Sequence, residues 1–140
     1  MEKFLKDCGI TKYKFNNDGI IDIFEDFNIP VISLKKLPFK FGKINGWFDC
    51  SYTELKTLNG APKIVNGDFY CNNNNLITLK YCPKIVNGSF WADNNNLTSL
   101  KGLNLDGITG KIILKGNPDL KLTEKEQLWV TLNPGRLVLE

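Results

Sequence analysis

The chain has 140 residues, 42% of them hydrophobic and 24% charged, with a formal net charge of +3. These values fit one globular domain over residues 1–140 and lie far from those of disordered or membrane proteins. Histidine is absent, which removes the commonest general base and the commonest metal ligand. The small charge, spread over scattered lysines, gives no sign of a nucleic-acid partner.

In chain order, MEKFLKDCGI carries acidic as well as basic residues and no apolar run of signal-peptide length, so a cytoplasmic location is expected. No later run approaches the roughly 20 apolar residues that cross a bilayer, so no membrane partner is expected. In a reducing compartment Cys8, Cys50, Cys71 and Cys82 read as free thiols. A short helix is expected over Glu2 to Cys8, ended by Gly9. Residues 12–24, KYKFNNDGIIDIF, read as two strands about an Asn-Asp-Gly turn, a strong hairpin signal. Residues 1–24 therefore read as an N-terminal cap.

A repeat follows. GWFDCSYTELKTLNGAPKIVN begins at Gly46, GDFYCNNNNLITLKYCPKIVN at Gly67 and GSFWADNNNLTSLKGLNLDGIT at Gly88, in steps of 21 residues. A degenerate unit, GKIILKGNPDLKL, follows from Gly110. Stacking them aligns apolar columns: Phe48, Phe69, Phe90 and Ile112; Cys50, Cys71, Ala92 and Leu114; Leu55, Leu76, Leu97 and Leu120; Leu58, Leu79, Leu100 and Leu122; and Ile44, Val65, Val86 and Ile108. Counting backwards places Phe27, Ile29, Leu34 and Leu37 on the same columns, so residues 25–122 hold about five units. One such unit cannot bury its apolar face alone, and stacked units bury it in continuous ladders. The Gly-x-Phe-x-Cys stretch alternates as a half-buried strand does, which predicts short parallel strands.

Asn74, Asn95 and Asn117 form a polar column whose amides can satisfy backbone donors and acceptors of a turn. Thr53 takes their place in one unit, which is expected to be the looser one. At the C-terminal end, Thr123-Glu124-Lys125-Glu126 is a capping box that opens a short helix, stopped at Asn133-Pro134-Gly135. Leu128 and Leu132 are expected to close the last unit, with the exposure of Trp129 left open. Residues 123–140 thus read as a helical C-terminal cap, and the expected fold is α+β, mostly β.

The segments FYCNNNNL, FWADNNNL and ILKGNPDL resemble the leucine-rich-repeat pattern Leu-x-Leu-x-x-Asn-x-Leu. KLPFKFGKINGWFDC, followed by LNGAPKIVNGDFYC and CPKIVNGSF, is similar to short leucine-rich-repeat proteins encoded by tailed bacteriophages. The likeness covers about residues 10 to 122. It implies a solenoid fold and a viral origin, and with them the host cytosol as location.

Side chains that alternate with the inward phenylalanines point outward from the strands. They include Trp47, Asp49, Asp68, Tyr70, Trp91, Asp93, Lys111 and Ile113, and one row reads Asp49, Tyr70, Trp91, Ile113. Tyrosine and tryptophan are the residues enriched at the energetic centres of interfaces. A non-catalytic module is therefore expected, docking a protein partner on this concave face. With a viral origin the partner is a host protein, such as one of antiviral defence, and the module its inhibitor. A structural or assembly accessory of the virus is the alternative.

An enzyme using Asp49, Asp68 and Asp93 is disfavoured, because an open sheet offers no pocket to desolvate them. No cofactor is expected. Lys14, Asn16, Asp18, Gly19 and Glu25 mimic the spacing of a calcium-binding loop, but its first position is a lysine, which cannot ligate calcium. Cys50 and Cys71 share a small buried slot with Ala92 and read as structural, whereas Cys82, placed in a turn, reads as the more reactive thiol. Lys63 and Lys84 recur beside Pro62 and Pro83 on the convex turn; a solvated edge is the expected reading and a second binding surface the alternative.

Overall fold

The computed structural model describes residues 1–140. The chain is α+β and mostly β, with two open sheets of short, largely parallel strands and two short helices. Helix α1, Glu2–Asp7, buries Leu5 and ends at Gly9, whose φ of 76° is the left-handed conformation that glycine adopts without penalty. Strands β1 (Tyr13–Phe15) and β2 (Ile21–Ile23) form the expected hairpin, antiparallel with Tyr13 opposite Ile23.

The first sheet continues from β2 through β4 (Phe41–Ile44), β6 (Ile64–Val65) and β8 (Ile85–Val86). In it Ile44, Val65 and Val86 lie in parallel register, and a bridge extends the row to Ile108. The repeat therefore supplies two strands per unit. The N-terminal hairpin is more than a cover, because β2 pairs with β4 and starts this sheet.

The second sheet runs in space from β3 (Phe27–Asn28) through β5 (Phe48–Asp49), β7 (Phe69–Tyr70), β9 (Phe90–Trp91) and β10 (Ile112–Ile113) to β11 (Leu137–Val138). Phe27, Phe48, Phe69 and Phe90 face one another across neighbouring strands and are fully buried. Their rings stack with centroids 5.1, 5.7 and 5.3 Å apart. Such pairs contribute about 0.5–1.5 kcal/mol each beyond their burial. Phe41, from the first sheet, packs 5.0 Å from Phe27 and 5.1 Å from Phe48, tying the two rows into one core.

The Asn-Gly corners between the sheets leave no room for a side chain. A Cβ on Gly67 would stand 2.8 Å from the Trp47 nitrogen and 2.9 Å from the Gly46 carbonyl carbon, well inside contact distance.

The asparagine column joins each unit to the one before it. The Asn95 amide nitrogen donates to Ala92 O in its own unit (3.2 Å) and to Cys71 O in the preceding one (3.0 Å). Its oxygen accepts from Leu76 N at 3.0 Å. Asn74 and Asn117 repeat this pattern. Thr53 keeps the bond within its unit, its hydroxyl donating to Cys50 O at 2.7 Å, and its hydroxyl and amide also reach Asn74 Oδ1 of the following unit, but its side chain makes no bond to the preceding one.

The C-terminal end differs from expectation. Helix α2, Glu124–Leu132, opens on the capping box: Glu126 N donates to the Thr123 hydroxyl and Thr123 N to the Glu126 carboxylate. Leu128 and Leu132 do not close the last unit; they are 59% and 71% exposed. Trp129 packs on the core instead, with Nε1 donating to Asp106 at 2.9 Å and the Arg136 guanidinium 5.5 Å from its ring. The end of the second sheet is covered by β11, which pairs in parallel with β10 and places Leu137 beside Ile112. Arg136 locks this turn by donating to the Gly110 and Ile108 carbonyls. No helix is long and apolar enough to cross a membrane.

Candidate protein-binding face

The outward side of the second sheet is set by the buried phenylalanine row. With Phe69 and Phe90 turned inward, Tyr70 and Trp91 alternate to the other side of their strands. They stand opposite one another in register. Their rings stack with centroids 5.8 Å apart and planes 19° from parallel. Trp47, on the same side, is 38% exposed.

Carboxylates surround the aromatic pair. The Tyr70 hydroxyl donates to Asp68 Oδ2 at 3.0 Å, while Asp68 Oδ1 accepts from Ser89 N at 2.7 Å. Asp49 Oδ1 accepts from the Ser51 amide and hydroxyl. Burial, the hydrogen bond to Asp68 and the negative charges of Asp68 and Asp49 push the Tyr70 hydroxyl up to about 12. The centre of the face is thus negative, and Lys111 and Lys115 stand exposed at its C-terminal end.

Two of the expected surface residues are buried. Ile113 is 5% and Asp93 8% exposed. Ile113 is flanked by β9 and β11, so the added C-terminal strand covers it. Asp93 Oδ1, Asn72 Oδ1 and Trp91 Nε1 are shielded from solvent without a hydrogen-bond partner. A polar group in that condition costs about 1–3 kcal/mol. These three atoms belong to residues on the outward side of β7 and β9 and the turns just after them. Strand alternation places all three residues on this side, but it could not foretell that their polar atoms would lack partners, since that depends on how the side chains lie against one another.

The remaining candidates fall elsewhere. Asn16 Oδ1 accepts from the amides of Asp18 and Ile20, and Glu25 Oε1 accepts from those of Thr11 and Lys12. These oxygens hold the hairpin turn and its base, and the backbone bonds set the Glu25 carboxyl below its ordinary range. Cys50 and Cys71 are fully buried neighbours whose thiols desolvation pushes well up. Cys82 is not the accessible thiol its turn position implies. It is 3% exposed, and burial raises it to about 12. Cys8 is the half-buried one.

No protein-family model, curated protein or solved structure matches the chain.

Proposed function

We propose that the chain is a leucine-rich-repeat solenoid of the kind encoded by tailed bacteriophages, and that it acts without catalysis by docking a host protein in the host cytosol. The docking surface is the outward side of the second sheet, centred on Tyr70 and Trp91, with Trp47, Asp49 and Asp68 around them and Lys111 at one end. The solenoid reading is supported by strands that recur every 21 residues in parallel register, with the asparagine column joining successive units. One observation carries the binding reading: a stacked tyrosine–tryptophan pair lies on an open sheet, and its own indole N–H, together with Asn72 Oδ1 and Asp93 Oδ1 just after the same strands, lacks a partner.

An apolar pair of this size gains from being covered, and the unpaired atoms gain from any partner that shifts the indole and bonds to them. The charges of Asp49 and Asp68 fit a basic surface on that partner. A captured partner should bind Trp91→Ala more weakly by about 2 kcal/mol or more, as read by calorimetry. An unchanged affinity removes this face from the interface. A partner recovered only from assembled viral particles favours the accessory role instead.

A further inference from the structure

The turns that lead into β6 and β8 carry a second built feature. A trough of about 530 Å³ is lined by Lys40, Lys63 and Lys84, with Tyr81 at its side and Ile20, Phe41, Ala61 and Cys82 as apolar wall. A second depression shares Lys40, Asn59 and Gly60 with it and adds Lys36. No carboxylate lines either one, although the chain carries 15 acidic residues. Lys63 and Lys84 belong to adjoining units, with Lys84 N donating to Lys63 O at 3.0 Å, so their side chains start about one strand spacing, ~4.8 Å, apart.

Tyr81 is the departure that gives the trough a direction. It occupies a turn position with φ of 70°, and the neighbouring units place Gly60 (φ 96°) and Gly102 (φ 99°) there. A bulky side chain in that conformation is strained, and such strain persists where the surroundings hold it. The ring contributes nothing to the core, being 49% exposed. It stands at the trough with the Lys80 ammonium 4.9 Å from its centroid.

We propose that this trough binds a nucleoside phosphate, with the base against Tyr81 and the apolar wall and the phosphates among Lys40, Lys63 and Lys84. Each part of that ligand meets a matching part of the site. A bare phosphate leaves the ring and the apolar wall unused, and an aliphatic acid leaves the tyrosine unused. The volume lies in the range of small-molecule sites, about 300–1,000 Å³. Lysine serves as a point charge for phosphate, and aromatic rings stack bases without regard to their identity. The site shares no residue with the Tyr70–Trp91 face, so it stands or falls separately from the function proposed above.

The test is calorimetric titration of the full chain with ADP, and separately with pyrophosphate and with a glutamate-rich peptide. ADP should bind more tightly than pyrophosphate. Lys63→Glu combined with Lys84→Glu should weaken ADP about tenfold or more, and weaken it less as salt rises, because salt screens exposed charges. Tyr81→Gly should also weaken ADP while melting as cooperatively as the parent, since glycine suits that turn. Absence of ADP binding, equal binding of pyrophosphate, binding of the peptide alone, or ADP binding unchanged in Tyr81→Gly each overturns the proposal.

Discussion

Replacing Asn95 with alanine tests whether the asparagine column holds successive units together. Besides a longer contact to Asp93 O at 3.4 Å, the side chain makes three closer bonds: to Cys71 O at 3.0 Å, to Ala92 O at 3.2 Å and from Leu76 N at 3.0 Å. All three partners belong to residues that are fully buried. Removing the amide leaves Leu76 N without a partner, while Cys71 O and Ala92 O each keep a second donor, the side-chain amides of Asn74 and Asn117, so a loss of about 1–3 kcal/mol is expected, the cost of one orphaned buried group. Against the ~5–15 kcal/mol available to a domain, that loss is readily measured. Asn95→Thr should lose less, because Thr53 shows that a hydroxyl here still reaches the carbonyl three residues back, at 2.7 Å. Equilibrium urea unfolding reads both variants, with midpoints expected in the order parent, threonine, alanine. An alanine variant within about 0.5 kcal/mol of the parent, the ordinary range for surface changes, would refute the reasoning, since water or a backbone shift must then satisfy that group.

Two further outcomes follow from the buried and charged groups. In the native protein near pH 8, a thiol reagent should modify Cys8 first, with Cys50, Cys71 and Cys82 reacting only on unfolding; a second thiol as fast as Cys8 contradicts the packing described. The Glu25 carboxyl is held below its unfolded value by the amides of Thr11 and Lys12. Its contribution to stability is therefore full above the unfolded value, about 4.3, and is lost as pH falls through the lower folded one. Unfolding midpoints measured from pH 7 down to pH 3 should show a smaller acid loss for Glu25→Gln, and equal acid sensitivity would remove Glu25 from that role.

What the sequence made legible was whatever the repeat dictates. Phe48, Phe69 and Phe90 had to stack, because a 21-residue step with one apolar face has no other place to put them. Ile44, Val65 and Val86 were readable as a core column but not as a second sheet, since two-residue strands leave almost no alternation to detect. The C-terminal cap misled because Leu128 and Leu132 have helical spacing and look like an inward face. Leu137 and Val138 pair with β10 and take the place those leucines were expected to fill. The indole of Trp129, anchored on Asp106, then sets which side of the helix faces the core. Cys82 was misplaced for a related reason: its turn position suggests exposure, yet its side chain turns into the core with the wall of the trough.

The same repetition indicates where function should be sought. Inward columns stay apolar from unit to unit, mostly phenylalanine on phenylalanine and leucine on leucine, because each side chain must fill the gap left by the last. Outward rows are free of that demand, so a large side chain there needs another reason. The row Asp49, Tyr70, Trp91, Ile113 changes at every step, although its backbone register does not. Gly60, Tyr81 and Gly102 change in the opposite sense, placing the strained residue where the unstrained one stands on either side. Core packing requires none of these departures. Substituting Trp91 or Tyr81 should therefore leave the fold in place, and the two losses of binding should be separable, one for a basic protein surface and the other for a nucleotide.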